Sequence, residues 1–138
     1  MTTLVITQGL PGSGKTTWAR TQSGYFRVNR DDIRAMLLTH WPYGQAWAEH
    51  ACTLASHASI SALLKANVDV ICDDTNLNPE FLQKLMQLGK DAGAEIVIQD
   101  FTSVDVEDCI YLDSTRPNPV GAEVIVRMWE KYLKPEAP

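Results

Sequence analysis

The sequence predicts an α/β fold in which a central parallel sheet of about four strands is flanked by helices in three layers. Three observations point there. Short apolar, β-rich stretches alternate with helical segments along the chain. A glycine-rich loop joins the first stretch to the first helix, and acid-bearing clusters close the second and third stretches. Strands separated by helices pair in parallel, with helices covering both sheet faces. Ligands in such sheets sit at the carboxyl ends of the strands.

The elements follow in order. Thr3 to Gln8 is the first strand; a loop and a helix to about Gln22 come next. Tyr25 to Asn29 is a second short strand ending in Asn29-Arg30-Asp31-Asp32. Residues 31–39 read as a helix, stopped by His40-Trp41-Pro42-Tyr43-Gly44. A long alanine-rich helix runs from about Gln45 to Ala66, with Trp47, Ala51, Leu54, Ala58 and Ala62 at helical spacing. Val68 to Cys72 is a buried-type strand closing on Asp73-Asp74. Asn78 caps a helix that has Pro79 at its first position and extends to about Ala92, before Gly93. Glu95 to Phe101 is the fourth strand. A helix near 104–113, a break at Arg116-Pro117-Asn118-Pro119 and a helix from about Val120 to Leu133 complete the chain. No repeat or low-complexity tract interrupts it, so residues 1–138 are expected to form one domain, with a lid at about 109–120.

Composition narrows the function classes. At 138 residues the chain can bury roughly two-thirds of its unfolded surface. No apolar run reaches membrane-spanning length, and residues 1–20 lack a signal-peptide pattern, so a cytoplasmic protein with no membrane partner is expected. Cys52, Cys72 and Cys109 are odd in number and widely spaced, which reads as reduced thiols rather than a metal site. The net charge of −5 argues against broad non-specific nucleic-acid binding, and leaves room for a local basic groove.

Gly9-Leu10-Pro11-Gly12-Ser13-Gly14-Lys15-Thr16 is a complete G-x-x-x-x-G-K-[ST] phosphate-binding loop. Glycines let successive backbone N–H groups turn inward onto phosphate oxygens. Lys15 brings an ammonium to the β/γ-phosphates, and the Thr16 hydroxyl is a hard oxygen ligand suited to Mg²⁺. The following helix, starting with Thr17, aims its N-terminus at the same phosphates. The fold expectation therefore sharpens to a P-loop NTPase fold, with residues Gly9 to Thr17 binding ATP.

Other motifs sit at strand ends. Asp31 could orient a hydroxyl acceptor and take its proton, with Arg34 on the same side to grip an acceptor phosphate. Alternatively Asp31 and Asp32 cap the helix. Asp73 or Asp74 fits the second Mg²⁺-organising acid, often acting through water, and the sequence does not choose between them. Thr75 and Asn76 can touch an acceptor or stabilise the turn. Arg116 either stabilises charge on a transferring phosphate or is a solvated surface arginine. Trp41, Tyr43 and Trp47 could stack on a base, although packing is the commoner fate of such aromatics. His50 and His57 lack a third ligand and read as surface or packing residues.

Taken together, Gly9 to Arg20, Asn29 to Arg34 and Asp74-Thr75-Asn76-Leu77-Asn78-Pro79-Glu80 resemble the kinase domain of phage-type polynucleotide 5′-kinases. The resemblance runs through nearly the whole chain, and the Asp74 to Glu80 block is its most specific part. It implies ATP- and Mg²⁺-dependent transfer of the γ-phosphate to the 5′-OH of DNA or RNA, in the host cytoplasm if phage-encoded. By the same resemblance Lys15, Asp31 and Arg116 are catalytic. Arg34 holds the acceptor's 3′-phosphate, assisted by Thr75, and Asp74 and Asn76 belong to the acceptor side. In the family a lid near residues 111–116 carries several arginines. Here Tyr111 to Arg116 keeps only Arg116, with its register open by one position. No D-x-D-x-T-type segment is left over, so no 3′-phosphatase is expected. Two alternatives remain: a kinase for a small acceptor (a nucleotide, nucleotide sugar or antibiotic), and a non-catalytic ATP-binding module. Oligomeric state is not readable.

Overall fold

Leu4, Val5, Ile6 and Thr7 are all buried, as befits a strand covered on both faces. They belong to β1 (Thr3–Gln8), which pairs in parallel with β3 (Val70–Cys72) on one side and β4 (Glu95–Asp100) on the other. β2 (Phe26–Val28) pairs in parallel with β3, giving the order β2-β3-β1-β4. The computed structural model describes residues 1–40 and 44–136. The stacking candidates Trp41 and Tyr43 lie outside the described residues.

The helices are α1 (Lys15–Arg20), α2 (Arg30–Leu37), α3 (Ala46–Lys65), α4 (Pro79–Asp91), α5 (Val106–Ser114) and α6 (Ala122–Tyr132). Their order matches the sequence expectation, with ends shifted by a residue or two. One sheet face packs Leu4, Ile6, Val28 and Val70 against Ile60 and Leu64 of α3 and Leu85 of α4. The opposite face is thinner: Val5 and Ile71 meet Ala19, Trp18 and Tyr25, around the short α1. α5 and α6 pack on each other and on Leu10 and Leu77, just beyond β1 and β3. None of the described helices is long and apolar enough to cross a membrane.

α3 departs from the expected packing. It buries Ala48, Cys52, Ser56, Ile60 and Leu64, whereas Trp47 and Leu54, on the stripe marked by sequence spacing, are exposed. An alanine- and serine-rich helix is mildly apolar all round, so its periodicity does not select a face. The largest side chains were therefore a poor guide to the buried stripe.

The phosphate-binding loop is held to α5 by close backbone approach. Gly12 has φ +82°, and a Cβ there would fall 2.2 Å from the Cys109 carbonyl oxygen. Gly12→Ala is expected to lower the unfolding free energy by at least about 2 kcal/mol, combining left-handed strain with backbone overlap. A lower urea midpoint at unchanged m-value would register it; a wild-type midpoint would show that loop and helix can separate cheaply.

Candidate active site

Because all four strands run the same way, their carboxyl ends open on one side. Cys72 is level with Ile6 and with Val28 in the sheet register, so Gly9, Asn29 and Asp73 begin the loops there together. Side-chain bonds lock these ends. The Thr7 hydroxyl donates to the Asp74 carbonyl at 2.9 Å, and the Asn29 amide donates to the Asp73 carbonyl. A cleft of about 420 Å³ lies above them.

Pro11, Gly12, Gly14, Lys15, Thr16 and Thr17 line this cleft. Gly9, Leu10 and Ser13 do not. Leu10 is core, and the Gly9 and Leu10 carbonyls accept the Lys15 ammonium at 2.9 and 2.6 Å. Lys15 thus folds back on its own loop. Burial lowers its pKa to about 8 against the pull of Asp73, and Arg116 pushes the same way as burial. The Thr16 hydroxyl makes no hydrogen bond among the described residues.

Asp73 and Asp74 separate in role. Asp73 is 1% exposed; its Oδ2 accepts from Arg27 Nε at 2.6 Å, while its Oδ1 is buried with no partner. An unpaired carboxylate oxygen at a cleft that also holds a free hydroxyl suits a hard cation with retained water. No three His, Cys, Asp or Glu side chains converge as a metal site among the described residues, so any cation here depends on Thr16, Asp73, water and phosphate. Asp74, which also lines the cleft, is tied to the backbone of α2. Its Oδ1 takes the Arg30 N–H at 2.8 Å, fixing the start of α2, and burial raises its pKa against that bond.

Asn29, not Asp31 or Asp32, caps α2: its Oδ1 accepts the Asp32 N–H at 2.9 Å. Asp32 turns away to Arg27, at 2.7 Å. Asp31 is left in the cleft wall, its exposed carboxylate accepting from Arg34 Nη1. Glu49 of α3 holds Arg34 through Nε at 3.0 Å, and its carbonyl accepts Arg30 Nη2 at 2.7 Å. Burial alone would raise the Glu49 pKa, but the two guanidinium groups bring it below the usual carboxylate range. Thr75 lines the cleft; Asn76 does not. With φ +46°, Asn76 spends its amide on the Thr7 carbonyl at 2.9 Å, closing the turn.

Arg116 reaches the cleft from the loop after α5, where its guanidinium donates to Asp113. Asp113 is 1% exposed and also accepts the Val120 and Gly121 N–H groups, at 3.1 and 3.0 Å. Burial alone would raise its pKa; these donors bring it down. His50 and His57 take no part in the cleft lining. The sequence reading missed Arg27, Glu49, Asp113 and Asn29. Only Asn29, a capping residue ahead of two acids, carried a local signal.

The chain matches the AAA domain family over residues 4–133. It belongs to that family. Among curated proteins it is 25% identical over 145 residues to a protein of Autographa californica nuclear polyhedrosis virus described as a bifunctional polynucleotide kinase/RNA ligase, covering 95% of this chain and 21% of the viral one. Two solved structures are also similar. A chain of the Pnkp1/Rnl/Hen1 complex is 35% identical with a TM-score of 0.70, covering 80% of this chain and 38% of the other. A chain of the Pnkp1/Rnl/Hen1 RNA repair complex is 31% identical with a TM-score of 0.76, covering 94% and 44%. This chain therefore spans less than half the length of each of these relatives.

In this AAA-domain chain the depressed Lys15 pKa has two consequences of opposite sign. Without ligand, the unfolded chain binds the extra proton between pH 8 and the ordinary value of 10.5, so Lys15 makes stability rise with pH there. A bound phosphate favours the ammonium, so affinity should fall as pH rises through 8, by about tenfold per unit. Calorimetry with tripolyphosphate from pH 7 to 9.5 reads the second effect, and Lys15→Met should flatten it. Arg27→Met strands the Asp73 carboxylate and is expected to cost about 2 kcal/mol, discounted because Arg27 is partly exposed. Urea unfolding measures that loss.

Proposed function

We propose that this chain is a kinase that transfers the γ-phosphate of ATP to the 5′-hydroxyl of a DNA or RNA end. The observation that carries the reading is the single cleft lined by Lys15 and Thr16 on one wall and by Asp31, Arg34 and Arg116 on the others. A phosphate donor site facing an acid and an arginine is what phosphoryl transfer to a hydroxyl needs. The likeness to a polynucleotide kinase/RNA ligase and to chains of RNA repair complexes supports the acceptor class. The buried, unpaired thiols Cys52, Cys72 and Cys109 support a reducing, cytoplasmic setting.

The residues divide the work. The loop N–H groups and Lys15, released from the Gly9 and Leu10 carbonyls, hold the β- and γ-phosphates. Thr16, with Asp73 through water, would hold Mg²⁺, whose charge offsets that of the bridging oxygens. Asp31 accepts the 5′-hydroxyl proton as that oxygen bonds to the γ-phosphorus and the bond to the β–γ bridging oxygen breaks, leaving ADP. Arg34, aimed by Glu49, takes the acceptor phosphate on the 3′ side, with Thr75 beside it. Arg116 meets charge on the transferring group. Most of the acceleration is positioning and charge neutralisation.

Incubation with γ-labelled ATP and a panel of 5′-OH oligonucleotides, 3′-nucleotides and nucleosides tests the reading. Label should pass to oligonucleotides, with Asp31→Asn slowing turnover about 10²- to 10⁴-fold. Transfer to small acceptors alone would sink the polynucleotide assignment, and nucleotide binding without transfer would leave a binding module. Arg116→Ala should lower kcat about 10²-fold; unchanged turnover removes Arg116 from the catalytic set.

A further inference from the structure

A second cavity, of about 130 Å³, lies beside the cleft between α3 and the start of α4. It shares Arg30, Asp74 and Thr75 with the cleft, so the two adjoin along these residues. Leu77 and Leu85, both buried, give it an apolar lining. Phe81, 58% exposed although it opens α4, gives it an aromatic side. Of the remaining lining, Thr53, Asn76 and Asn78 already bond Arg30, the Thr7 carbonyl and the start of α4, and Cys72 is buried; Ser56, buried yet with no hydrogen-bond partner among the described residues, and the half-buried His57 are left to meet an occupant.

The chemistry of these walls selects the occupant. Arg30 is committed to Glu49 and Thr53, while Asp74 accepts the Arg30 N–H on Oδ1 and only the Cys72 thiol on Oδ2, so the lining repels an anion rather than attracts one. A phosphate would find no unspent cation on the lining. Burial, together with Arg30 and Lys84, lowers the His57 pKa and keeps the imidazole neutral, with one donor and one acceptor nitrogen. A hydroxyl, a neutral imidazole, an apolar lining and an exposed ring suit a flat, uncharged heterocycle with hydrogen-bonding edges. Its volume of about 130 Å³ is close to the roughly 150 Å³ of an apolar cavity that holds benzene, so a single six-membered ring is the matching scale of occupant.

Resting on the kinase reading above, we propose that this cavity receives one nucleobase of the acceptor's 5′-terminal dinucleotide. Thr75, on the shared wall, marks the passage from the acceptor phosphate to the base. Phe81 stacks on the ring while His57 and Ser56 bond its edge. The site is a specificity pocket on the scale of a single ring.

The test is steady-state kinetics with 5′-OH oligonucleotides bearing an abasic residue at the first or the second position. For the wild type, removing the base at one of these positions should raise the acceptor KM about tenfold with little change in kcat. In Phe81→Ala and His57→Ala the intact acceptor should already show that raised KM, and base removal should cost nothing more. Phe81→Trp should restore the wild-type dependence. Phe81 is exposed, so its truncation leaves the core intact, and an unaltered thermal midpoint checks this. Base removal that costs the same in all variants, or nothing in the wild type, overturns the pocket and leaves the kinase reading standing. No transfer to any oligonucleotide overturns the kinase reading, and the pocket with it.

Discussion

The site depends on one buried charge. Asp73 sits at the end of β3 with almost no solvent contact, and a carboxylate there is tolerable only when its charge is answered. Arg27 answers one oxygen through Nε and, through Nη1, holds Asp32 in the first turn of α2. β2, β3 and α2 are thereby fixed to one another, and with them the direction in which Asp31 and Arg34 leave the helix. The second oxygen has no partner among the described residues. The same residue is a structural anchor on one side and presents an unspent oxygen on the other, in the cleft that Lys15, Asp31 and Arg34 also line.

The cleft's cations are all provisionally occupied. Lys15 donates to loop carbonyls, Arg30 to Glu49 and Thr53, Arg34 to Asp31 and Glu49, and Arg116 to Asp113. An acidic protein can therefore keep a locally basic cleft without exposing bare positive charge. An incoming phosphate exchanges one set of oxygen partners for another, so its binding energy is the difference between two paired states. This exchange favours anions that reach several of the four cations at once, because a lone phosphate displaces a partner and gains little.

What the sequence revealed was what is contiguous. The phosphate-binding loop is legible because eight adjacent residues carry its whole chemistry, and the strands because each is a short apolar run closed by polar residues. Asp31 and Arg34 were legible as a pair because helical spacing fixes their relation. Choices that depend on distant partners were not. Asp73 and Asp74 are neighbours of one type, and only the positions of Arg27 and the Arg30 N–H distinguish them. Glu49 reads as an ordinary first-turn acid until α3 is laid beside α2. The α3 face failed for a different reason: alanine and serine fit buried and exposed positions almost equally well.

Asp113 has one further consequence. By accepting from Arg116, Val120 and Gly121 it closes residues 113–121 into a small ring, while Gly12 holds the preceding turn of α5 against the phosphate-binding loop. A segment pinned at both ends has no long arm to swing. Arg116 can then exchange Asp113 for a phosphate by rotation about its own side-chain bonds, a movement of nanoseconds rather than the microseconds of a hinged flap. For the kinase proposed above, the clock of the cycle would then be set by other events, such as departure of the product nucleotide.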